Sequence, residues 1–250
     1  CLDSVLGFAD EIIVVDEKSS DRTVEIARDY GAKVKVVSHE PIFHKTKQKA
    51  LDLAIGDWIL QLDADERVSR ELGKEIKKVA SLNGHDLRQY QAKLPRRKLF
   101  LRHQKIIEAR DGKIGTAEGE YTAFFVPRLN YFLGKFLRYG GVYPDGVIRL
   151  VKRGYARFPQ KSVHEQIRIK GRVGWLNHDL IHMADPTFAR YLKRNSYYID
   201  LIVKEMEEEK LSKNIFQFIN YLVIKPVWWF FLTQARHKGI LDGFQGVVFS

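Results

Sequence analysis

The sequence holds a single cysteine, Cys1, among its 250 residues. One cysteine excludes an internal disulfide and a zinc site built from several cysteines, and it makes a reducing compartment the simpler expectation. No secretory signal peptide and no internal repeat is visible in the sequence. Because the sequence opens within an apolar helical pattern and stops within an apolar run, we expect it to be a fragment of a longer protein.

Composition narrows the class of protein further. Hydrophobic residues make up 45% of the chain and charged residues 29%, which excludes a disordered protein. The length allows one large α/β domain, or such a domain with a small appendage. The formal net charge of +11 predicts anionic partners, but it does not distinguish nucleic acid, acidic lipid and phosphorylated substrates.

Short apolar runs alternate with helical patterns through the first third of the chain. The predicted strands cover residues 11–15, 33–37 and 58–62, and the predicted helices cover residues 22–30, 45–55 and 70–82. This alternation predicts a doubly wound α/β sheet, in which ligands bind at the carboxyl ends of the strands. Residues 84–144 are irregular and basic, with short apolar stretches such as 124–126 that suggest strands between long loops. The later patterns predict a strand at 147–151 and a helix at 185–209.

Acidic side chains follow two of these strands. Asp16 ends the first strand, and Asp63-Ala64-Asp65 follows directly on the third. Residues two apart on a strand point the same way, so Asp63 and Asp65 are predicted to hold a hard divalent cation that bridges substrate phosphates. A solvated acidic turn or the beginning of a helix is the alternative for this pair. Asp21 already serves to cap the next helix, so we expect Asp16 to contact a ligand instead.

Histidines supply two further candidate sites. His164 is followed by Glu165, and a carboxylate beside an imidazole can act as a general base, although such a pair can also be ordinary polar surface. His178 and His182 stand four residues apart, which suits a metal ion if this segment is helical. A structural role is the alternative for either of these two histidines.

Several stretches, in the same order, resemble family 2 glycosyltransferases, and specifically the bacterial subgroup that includes lipopolysaccharide core glucosyltransferases. They are ADEIIVVDEKSSDRTVEIARDYGAKV (9–34), KQKALDLAIGDWILQLDADERVS (47–69), YPDGVIRLVKRG (143–154), SVHEQI (162–167) and KGILDGFQG (238–246). The resemblance covers most of the chain. It implies a GT-A fold, a Rossmann-like mixed sheet with flanking helices, followed by a helical tail that is membrane-associated.

The resemblance also implies a donor site and a metal. Asp16 would contact the nucleotide base, and Asp63 would face the ribose or the metal. Asp65 would bind Mg²⁺ or Mn²⁺ on the diphosphate of a nucleotide-sugar donor, and His182 joins the two aspartates as an expected metal ligand. Arg149 would face phosphate or acceptor.

For the reaction, the resemblance implies one-step displacement at the anomeric carbon, with inversion. Glu165, with His164 beside it, matches the motif of the base that deprotonates the acceptor hydroxyl, so only one catalytic carboxylate is needed. The expected division of the chain is a nucleotide-sugar-binding half at 1–82, an acceptor-side half with the base at 83–184, and a helical membrane-proximal segment at 185–250.

The sequence departs from the family pattern in places. The first strand of the family, with its Asn-Glu segment, would lie before Cys1. The loop 16–21 reads DEKSSD, where the family commonly has glycine, and Lys49 stands where the subgroup often has asparagine. These departures leave open a non-catalytic, membrane-associated paralogue with a decayed donor site, and a polyprenyl-phosphate glycosyltransferase is a further alternative.

The last apolar stretch, residues 215–233, is long enough to resemble a membrane span. Polar residues interrupt it, Pro226 is expected to break or kink a helix, and Trp228 and Trp229 are typical of the headgroup level. We therefore expect a helix that lies in the interface, with a buried helix as the alternative. The expected partners are a lipid-linked saccharide acceptor and an anionic membrane surface, on the inner face of the cytoplasmic membrane.

Nucleic acid is not expected as a partner of this basic chain. The sequence contains no recognised nucleic-acid motif. Asp63, Asp65 and Glu66 would repel phosphate unless a metal is bound.

Overall fold

The computed structural model describes residues 1–159, 166–208 and 214–249. It divides into two compact units, Cys1–Arg128 with Gly146–Ile181, and Leu129–Asp145 with His182–Ser250. The short internal segment 129–145 thus joins the C-terminal residues in the second unit. The expected functional division at residues 82 and 184 stays a prediction.

Strands occur along most of the first 185 residues. They are β1 (Ile13–Asp16), β2 (Lys33–Val36), β3 (Trp58–Leu60), β4 (Glu66–Val68), β5 (Tyr121–Phe132), β6 (Lys135–Phe136), β7 (Asp145–Lys152), β8 (Ala156–Arg157), β9 (Arg168–Ile169), β10 (Arg172–Trp175) and β11 (Leu180–Asp185). A seven-stranded sheet has the order β3-β7-β5-β11-β4, with β10 and β6 both paired to β5. β3 runs antiparallel to β7 and β10 runs parallel to β5, so the sheet is mixed.

Helices fill the intervals between the strands and form the tail. They are α1 (Thr23–Asp29), α2 (Phe43–Leu53), α3 (Arg70–Ser81), α4 (Gly84–Ala92), α5 (Arg97–Asp111), α6 (Phe188–Glu208), α7 (Ile215–Ile219), α8 (Lys225–Phe231) and α9 (Phe244–Phe249). Short 3-10 turns lie at Leu2–Ser4 and Gly239–Asp242, and π-helical turns lie at Asn220–Ile224 and Leu232–Arg236. The side chain of Ser69 accepts a hydrogen bond from the Leu72 amide and so caps α3.

A parallel βαβ element opens the first unit. The apolar, β-branched residues of β1 pair in register with β2, from Ile13 opposite Lys33 to Asp16 opposite Val36, and α1 makes the crossover between them. This element brings Asp16 to the carboxyl end of β1, as the sequence predicts. β1 and β2 form a two-stranded sheet of their own in the described structure.

The core of the first unit is aromatic around Trp175. Its indole stacks on Phe100 and Phe125, each with ring centroids 4.6 Å apart, and its Nε1 donates to Gln104. Gly146 at the beginning of β7 lies directly against this ring, and a Cβ there would come within 2.2 Å of Trp175. The core thus holds β7 closely against β10 and α5.

In the second unit, a continuous helical stretch runs from Ile215 to Arg236 through α7 and α8. Pro226 lies inside this stretch and does not break it, which is one of the two effects expected of this proline, a break or a kink. The π-helical turn at Asn220–Ile224 immediately precedes α8, and such a turn lets the ladder adjust to a proline that lacks an amide donor. The short apolar pattern at residues 2–8 forms only the 3-10 turn at Leu2–Ser4.

Candidate active site

The loop after β1 is fixed by its own acidic residues. Asp16 is buried, and its carboxylate accepts hydrogen bonds from the Ser19 amide at 2.9 Å and from the Ser19 hydroxyl at 2.5 Å. Glu17 accepts from Thr46 on α2 and contacts His39 Nδ1 at 2.6 Å. Lys18, between Glu17 and Ser19, adopts a left-handed backbone with φ 61°, a conformation that glycine takes without strain. The predicted ligand-contacting residue is therefore held in a loop with a defined conformation.

The acidic pair lies in a turn rather than on a strand. β3 ends at Leu60, one more backbone bond joins Gln61 to Arg149, and Ala64 and Asp65 form the turn before β4 begins at Glu66. The Asp63 amide donates to Glu66 Oε2 at 2.9 Å, and the Glu66 amide donates to the Asp63 carbonyl at 3.0 Å. The expectation that Asp63 and Asp65 point the same way from a strand is therefore wrong, since neither residue is in one.

Arg149 is the centre of the charged network at this turn. It is buried on β7, and its Nη2 lies 2.5 Å from Asp63 Oδ2 and 2.6 Å from Glu66 Oε1. Its Nη1 donates to Gln61. The guanidinium of Arg149 thus contacts three side chains of the turn, Gln61, Asp63 and Glu66, and holds the turn in place.

Two further cations complete the network. Lys47 Nζ on α2 lies 2.7 Å from Asp63 Oδ1, and Arg128 Nη1 on β5 lies 3.6 Å from Glu66 Oε1. Lys47, Arg128 and Arg149 thus face two carboxylates, Asp63 and the fully buried Glu66, and the five side chains carry one net positive charge. Asp65 lies in the same turn, and counting it brings the formal charge of the six side chains to zero.

The network shifts the pKa of three of these groups. Burial opposes ionisation of Asp63, but the charges of Arg149 and Lys47 outweigh it and hold the pKa of the carboxyl well below its usual value. Burial opposes the charged form of Arg149 too, yet Glu66 and Asp63 raise the pKa of the guanidinium. Burial, followed by the charge of Arg149, lowers the pKa of Lys47. Asp63 and Arg149 are accordingly both charged at neutral pH.

The predicted metal ligands are placed differently from expectation. Asp63 has Lys47 on one oxygen and Arg149 on the other, so it fits a positioning acid better than a direct metal ligand. Asp65 is half-buried in the turn and fits as one carboxylate ligand to a cation that also holds phosphate oxygens. Within residues 1–159, 166–208 and 214–249, no group of three His, Cys, Asp or Glu side chains could hold a metal ion.

The two histidines at four-residue spacing are not on a helix. His178 lies in a loop and contacts Glu75 through both its amide and its ring, each at 2.8 Å, which is a structural role. His182 lies on β11, and its Nδ1 is 2.6 Å from the side-chain oxygen of Asn130. Asn130 in turn donates to Asp145 at 3.0 Å. The helical spacing that suggested a metal site is therefore wrong.

His164 and Glu165 lie outside the described residues, so the general-base assignment stays a prediction. The described residues on either side are anchored in the first unit. The Phe158 amide donates to Gln48 on α2 at 2.8 Å, and the side chain of Gln166 donates to Asp111 at the end of α5 at 2.7 Å.

Sequence reasoning missed three residues of the site, Lys47, Gln61 and Arg128. Lys47 and Gln61 lie within a stretch that carries the family resemblance, but nothing in their spacing distinguishes them from neighbouring polar residues. Arg128 lies on β5, just beyond the apolar stretch 124–126 that suggests a strand in the otherwise irregular segment. Their roles depend on pairing between distant strands, which a local pattern does not contain.

The family model for glycosyl transferase family 2 matches residues 1–142 of the 250. The chain belongs to glycosyltransferase family 2. The matched residues include Asp16, Lys47 and the turn with Asp63 and Asp65. The fold is accordingly the GT-A-type α/β fold of this family, with a mixed sheet, flanking helices and a C-terminal apolar helix.

Similar proteins agree with this family. A glycosyltransferase of Rickettsia felis is 27% identical over 259 residues, covering 99% of this chain and 77% of its own length. The SPbeta prophage-derived glycosyltransferase SunS of Bacillus subtilis is 37% identical over 82 residues, which cover 32% of this chain and 19% of SunS. The match to the crystal structure of S. aureus TarS 1-349 has 16% sequence identity and a TM-score of 0.31, and it covers 70% of this chain and 51% of the TarS chain.

This family 2 chain is therefore a glycosyltransferase. The family implies a nucleotide-sugar donor and an acceptor as its substrates.

Proposed function

We propose that this transferase moves a hexosyl group, with inversion, from a nucleoside-diphosphate sugar to a lipid-linked saccharide of the cell envelope, such as the lipopolysaccharide core. It would act in the cytoplasm as a peripheral protein on the inner face of the membrane. The observation that carries the donor side of this proposal is the turn at Asp63 and Asp65, which follows β3 and contacts the buried Arg149 and the half-buried Lys47.

The charge of this turn suits a diphosphate leaving group. When the bond to the sugar breaks, the electron pair goes to a diphosphate oxygen and negative charge grows there. The cations Lys47, Arg128 and Arg149 are already held by their carboxylate partners, so they would need little rearrangement as that charge develops. Asp16 at the end of β1 would contact the base or ribose of the donor.

A divalent cation, Mg²⁺ or Mn²⁺, is part of the proposal, with Asp65 as its protein ligand. Such a cation would neutralise charge on the diphosphate when bound. Mg²⁺ commonly uses one or two carboxylates together with substrate phosphates and waters, so a single aspartate in the turn is sufficient. Asp63 would orient the turn through Lys47 and Arg149.

Glu165 is the proposed general base. It would take the proton of the acceptor hydroxyl as the new bond forms between that oxygen and the anomeric carbon. The bond from the anomeric carbon to the diphosphate breaks in the same step, which inverts the configuration with a single catalytic carboxylate.

The helical stretch Ile215–Arg236 supports the membrane part of the proposal. It has 22 residues, and its most apolar 18-residue stretch has a mean hydropathy of 1.4 and is 0% buried. Its end is held in the second unit, because Thr233 and Gln234 are buried. The exposed part, residues 215–231, is about 25 Å long, shorter than the roughly 30 Å hydrocarbon core of a bilayer.

A polar stripe on this helix favours a position in the interface. Gln217, Asn220, Tyr221 and Lys225 follow one another at helical spacing, and Lys225 Nζ lies 3.6 Å from the centre of the Tyr221 ring. A helix with one polar stripe and a broad apolar surface lies in the headgroup region with the stripe toward water. This orientation would bring the enzyme to a lipid-linked acceptor.

Transfer from radiolabelled nucleotide sugars to extracted lipid-linked saccharides tests the proposal. We expect Asp65→Ala to abolish transfer and EDTA to stop the wild type, whereas Asp57→Ala, an exposed aspartate just before β3, serves as the unaffected control. Glu165→Gln should lower turnover by roughly 10²–10⁴-fold with donor affinity nearly retained.

Other results would redirect the proposal. Full activity in EDTA would remove the cation, and a Glu165→Gln variant within a few-fold of wild type would place the base elsewhere. Transfer to a polyprenyl phosphate in place of a saccharide hydroxyl would identify the alternative acceptor class. No nucleotide-sugar binding at all would indicate a non-catalytic paralogue.

A further inference from the structure

Residues 238–246, which we call the tail turn, bury small and charged residues and expose large apolar ones, whereas a turn in water does the opposite. The small or charged residues Gly239, Asp242 and Gly246 are buried. The large apolar residues are outside, with Ile240 64%, Leu241 57% and Phe244 72% exposed. Soluble turns place polar groups in water, so this arrangement indicates an apolar medium outside the turn.

The inner side of the tail turn is fixed by specific contacts. The carboxylate of Asp242 accepts two backbone hydrogen bonds, from Arg138 at 2.9 Å and from Tyr139 at 2.8 Å. Gln234 Nε2 donates to the Gly246 carbonyl at 3.0 Å, and a Cβ on Gly246 would lie 2.0 Å from the Gly239 carbonyl oxygen. Because this packing leaves no room to rotate the turn, its apolar side chains are held outward.

Cations stand beside the exposed apolar residues. Arg236 and Lys238 are exposed at the end of the helical stretch Ile215–Arg236, directly before Ile240 and Leu241. A cluster of aliphatic and aromatic residues bordered by Lys and Arg matches the boundary of an anionic bilayer, with the apolar groups below the headgroups and the cations among them.

We propose that the tail turn is a second lipid-contacting element, which inserts Ile240, Leu241 and Phe244 into the bilayer while Arg236 and Lys238 bind anionic headgroups. The inference deepens the proposed membrane-surface function and rests on it. The hydrogen bonds of Asp242 join the turn to the backbone at residues 138–139, between β6 and β7.

Vesicle binding of the full chain tests the tail turn. The variant Ile240→Ser/Leu241→Ser/Phe244→Ser removes the apolar contact without touching the buried side. In the matched control, serine replaces three apolar residues of the first unit that have similar exposure, Leu6, Ile55 and Ile106. A second variant, Arg236→Gln/Lys238→Gln, removes the charges, and a third, Phe216→Ser/Trp228→Ser/Phe231→Ser, alters the exposed helix. Flotation with vesicles of zwitterionic lipid, with and without anionic lipid, gives the partition coefficients.

We expect the triple tail variant to bind vesicles at least about tenfold more weakly, since it loses three apolar insertions. The control should bind like wild type, and the charge variant should lose about fivefold per cation, only on anionic vesicles. Circular dichroism should be unchanged in all of them.

Three outcomes would overturn the inference. Wild-type binding by the tail variant, with loss only in the helix variant, would reject the turn while leaving the proposed membrane siting intact. Failure of the wild type to float with vesicles would reject the proposed membrane location itself. Sugar transfer to a soluble acceptor would then test the glycosyltransferase activity separately. A dimer seen by light scattering that the tail variant abolishes would assign these residues to a second copy of the chain.

Discussion

Glu66→Gln is the substitution that most directly probes the charged network. Glu66 is 0% exposed, and its two oxygens face different donors. Oε1 accepts from Arg149 Nε at 3.2 Å and from Nη2 at 2.6 Å, while Oε2 accepts from the Asp63 amide at 2.9 Å. Glutamine keeps the shape but has only one acceptor oxygen. Whichever way its amide is turned, an NH₂ group faces either a guanidinium or a backbone N–H.

The expected cost follows from those contacts. Removing one partner of a buried ion pair leaves an uncompensated charge and typically costs about 3–5 kcal/mol. A buried hydrogen-bond donor that faces another donor costs about 1–3 kcal/mol. The ion-pair estimate and the hydrogen-bond estimate therefore overlap at about 3 kcal/mol. For a chain of this size, that loss lowers Tm by roughly 6–12 °C. Transfer activity should fall as well, because the turn that carries Asp65 loses the group that fixes it.

Thermal and urea unfolding, followed by circular dichroism, measure the change. Glu71→Gln, on the exposed surface of α3, is the matched control and should lie within about 0.5 kcal/mol of wild type. The double variant Glu66→Leu/Arg149→Met replaces the pair by apolar groups and should be more stable than Glu66→Gln while still inactive. If Glu66→Gln unfolds within about 0.5 kcal/mol of wild type, the buried contacts described here do not hold the turn.

Further substitutions and pH test other parts of the first unit. Lys18→Gly, which relieves the φ of 61°, should raise the free energy of unfolding by up to about 1 kcal/mol, whereas Lys18→Ala should not; equal stability of the two in urea would show that the loop is unstrained. Gly146→Ala should destabilise by about 1–3 kcal/mol, because its Cβ would meet the Trp175 ring; a neutral effect in thermal unfolding would refute that packing. The depressed pKa of Asp63 means that its stabilisation is complete above the unfolded pKa and is lost as pH falls below about 4 toward the folded pKa. Asp63→Asn should flatten the stability-against-pH curve in that acidic range, and an unchanged slope would contradict the pairing.

The sequence predicted the elements of the first third of the chain well because its signals there are local. The apolar runs at β1, β2 and β3 and the helical patterns of α1, α2 and α3 each lie within two or three residues of the observed elements. The sequence between α3 and β7 was expected to be irregular, with short strands such as one at 124–126, yet it contains α4, α5 and the long strand β5. β5 lies inside the sheet between β7 and β11, so its apolar residues need not alternate and the period-two signal of a strand is absent.

The sequence predicted the acidic residues of the candidate site but not the side chains that contact them. Asp16, Asp63 and Asp65 stand near strand ends, which follows from the order of apolar runs along the chain. The partners of Asp63 come from α2 and β7, more than ten residues away in either direction, and pairing at that distance is decided by sheet register. The histidine spacing misled because a four-residue interval has a meaning only on a helix, and His182 lies on a strand.

The proposed function gives the two aspartates of the acidic pair different tasks. Asp63 already has a cation on each oxygen and is held below its usual pKa by them, so a divalent ion there would have to displace Lys47 and compete with Arg149. Asp65 follows two residues later and is half-buried in the turn before β4. Under the proposed function, a cation bound through Asp65 would leave the contacts of Asp63 with Lys47 and Arg149 in place. Asp63 would then orient the turn, and Asp65 would meet the donor.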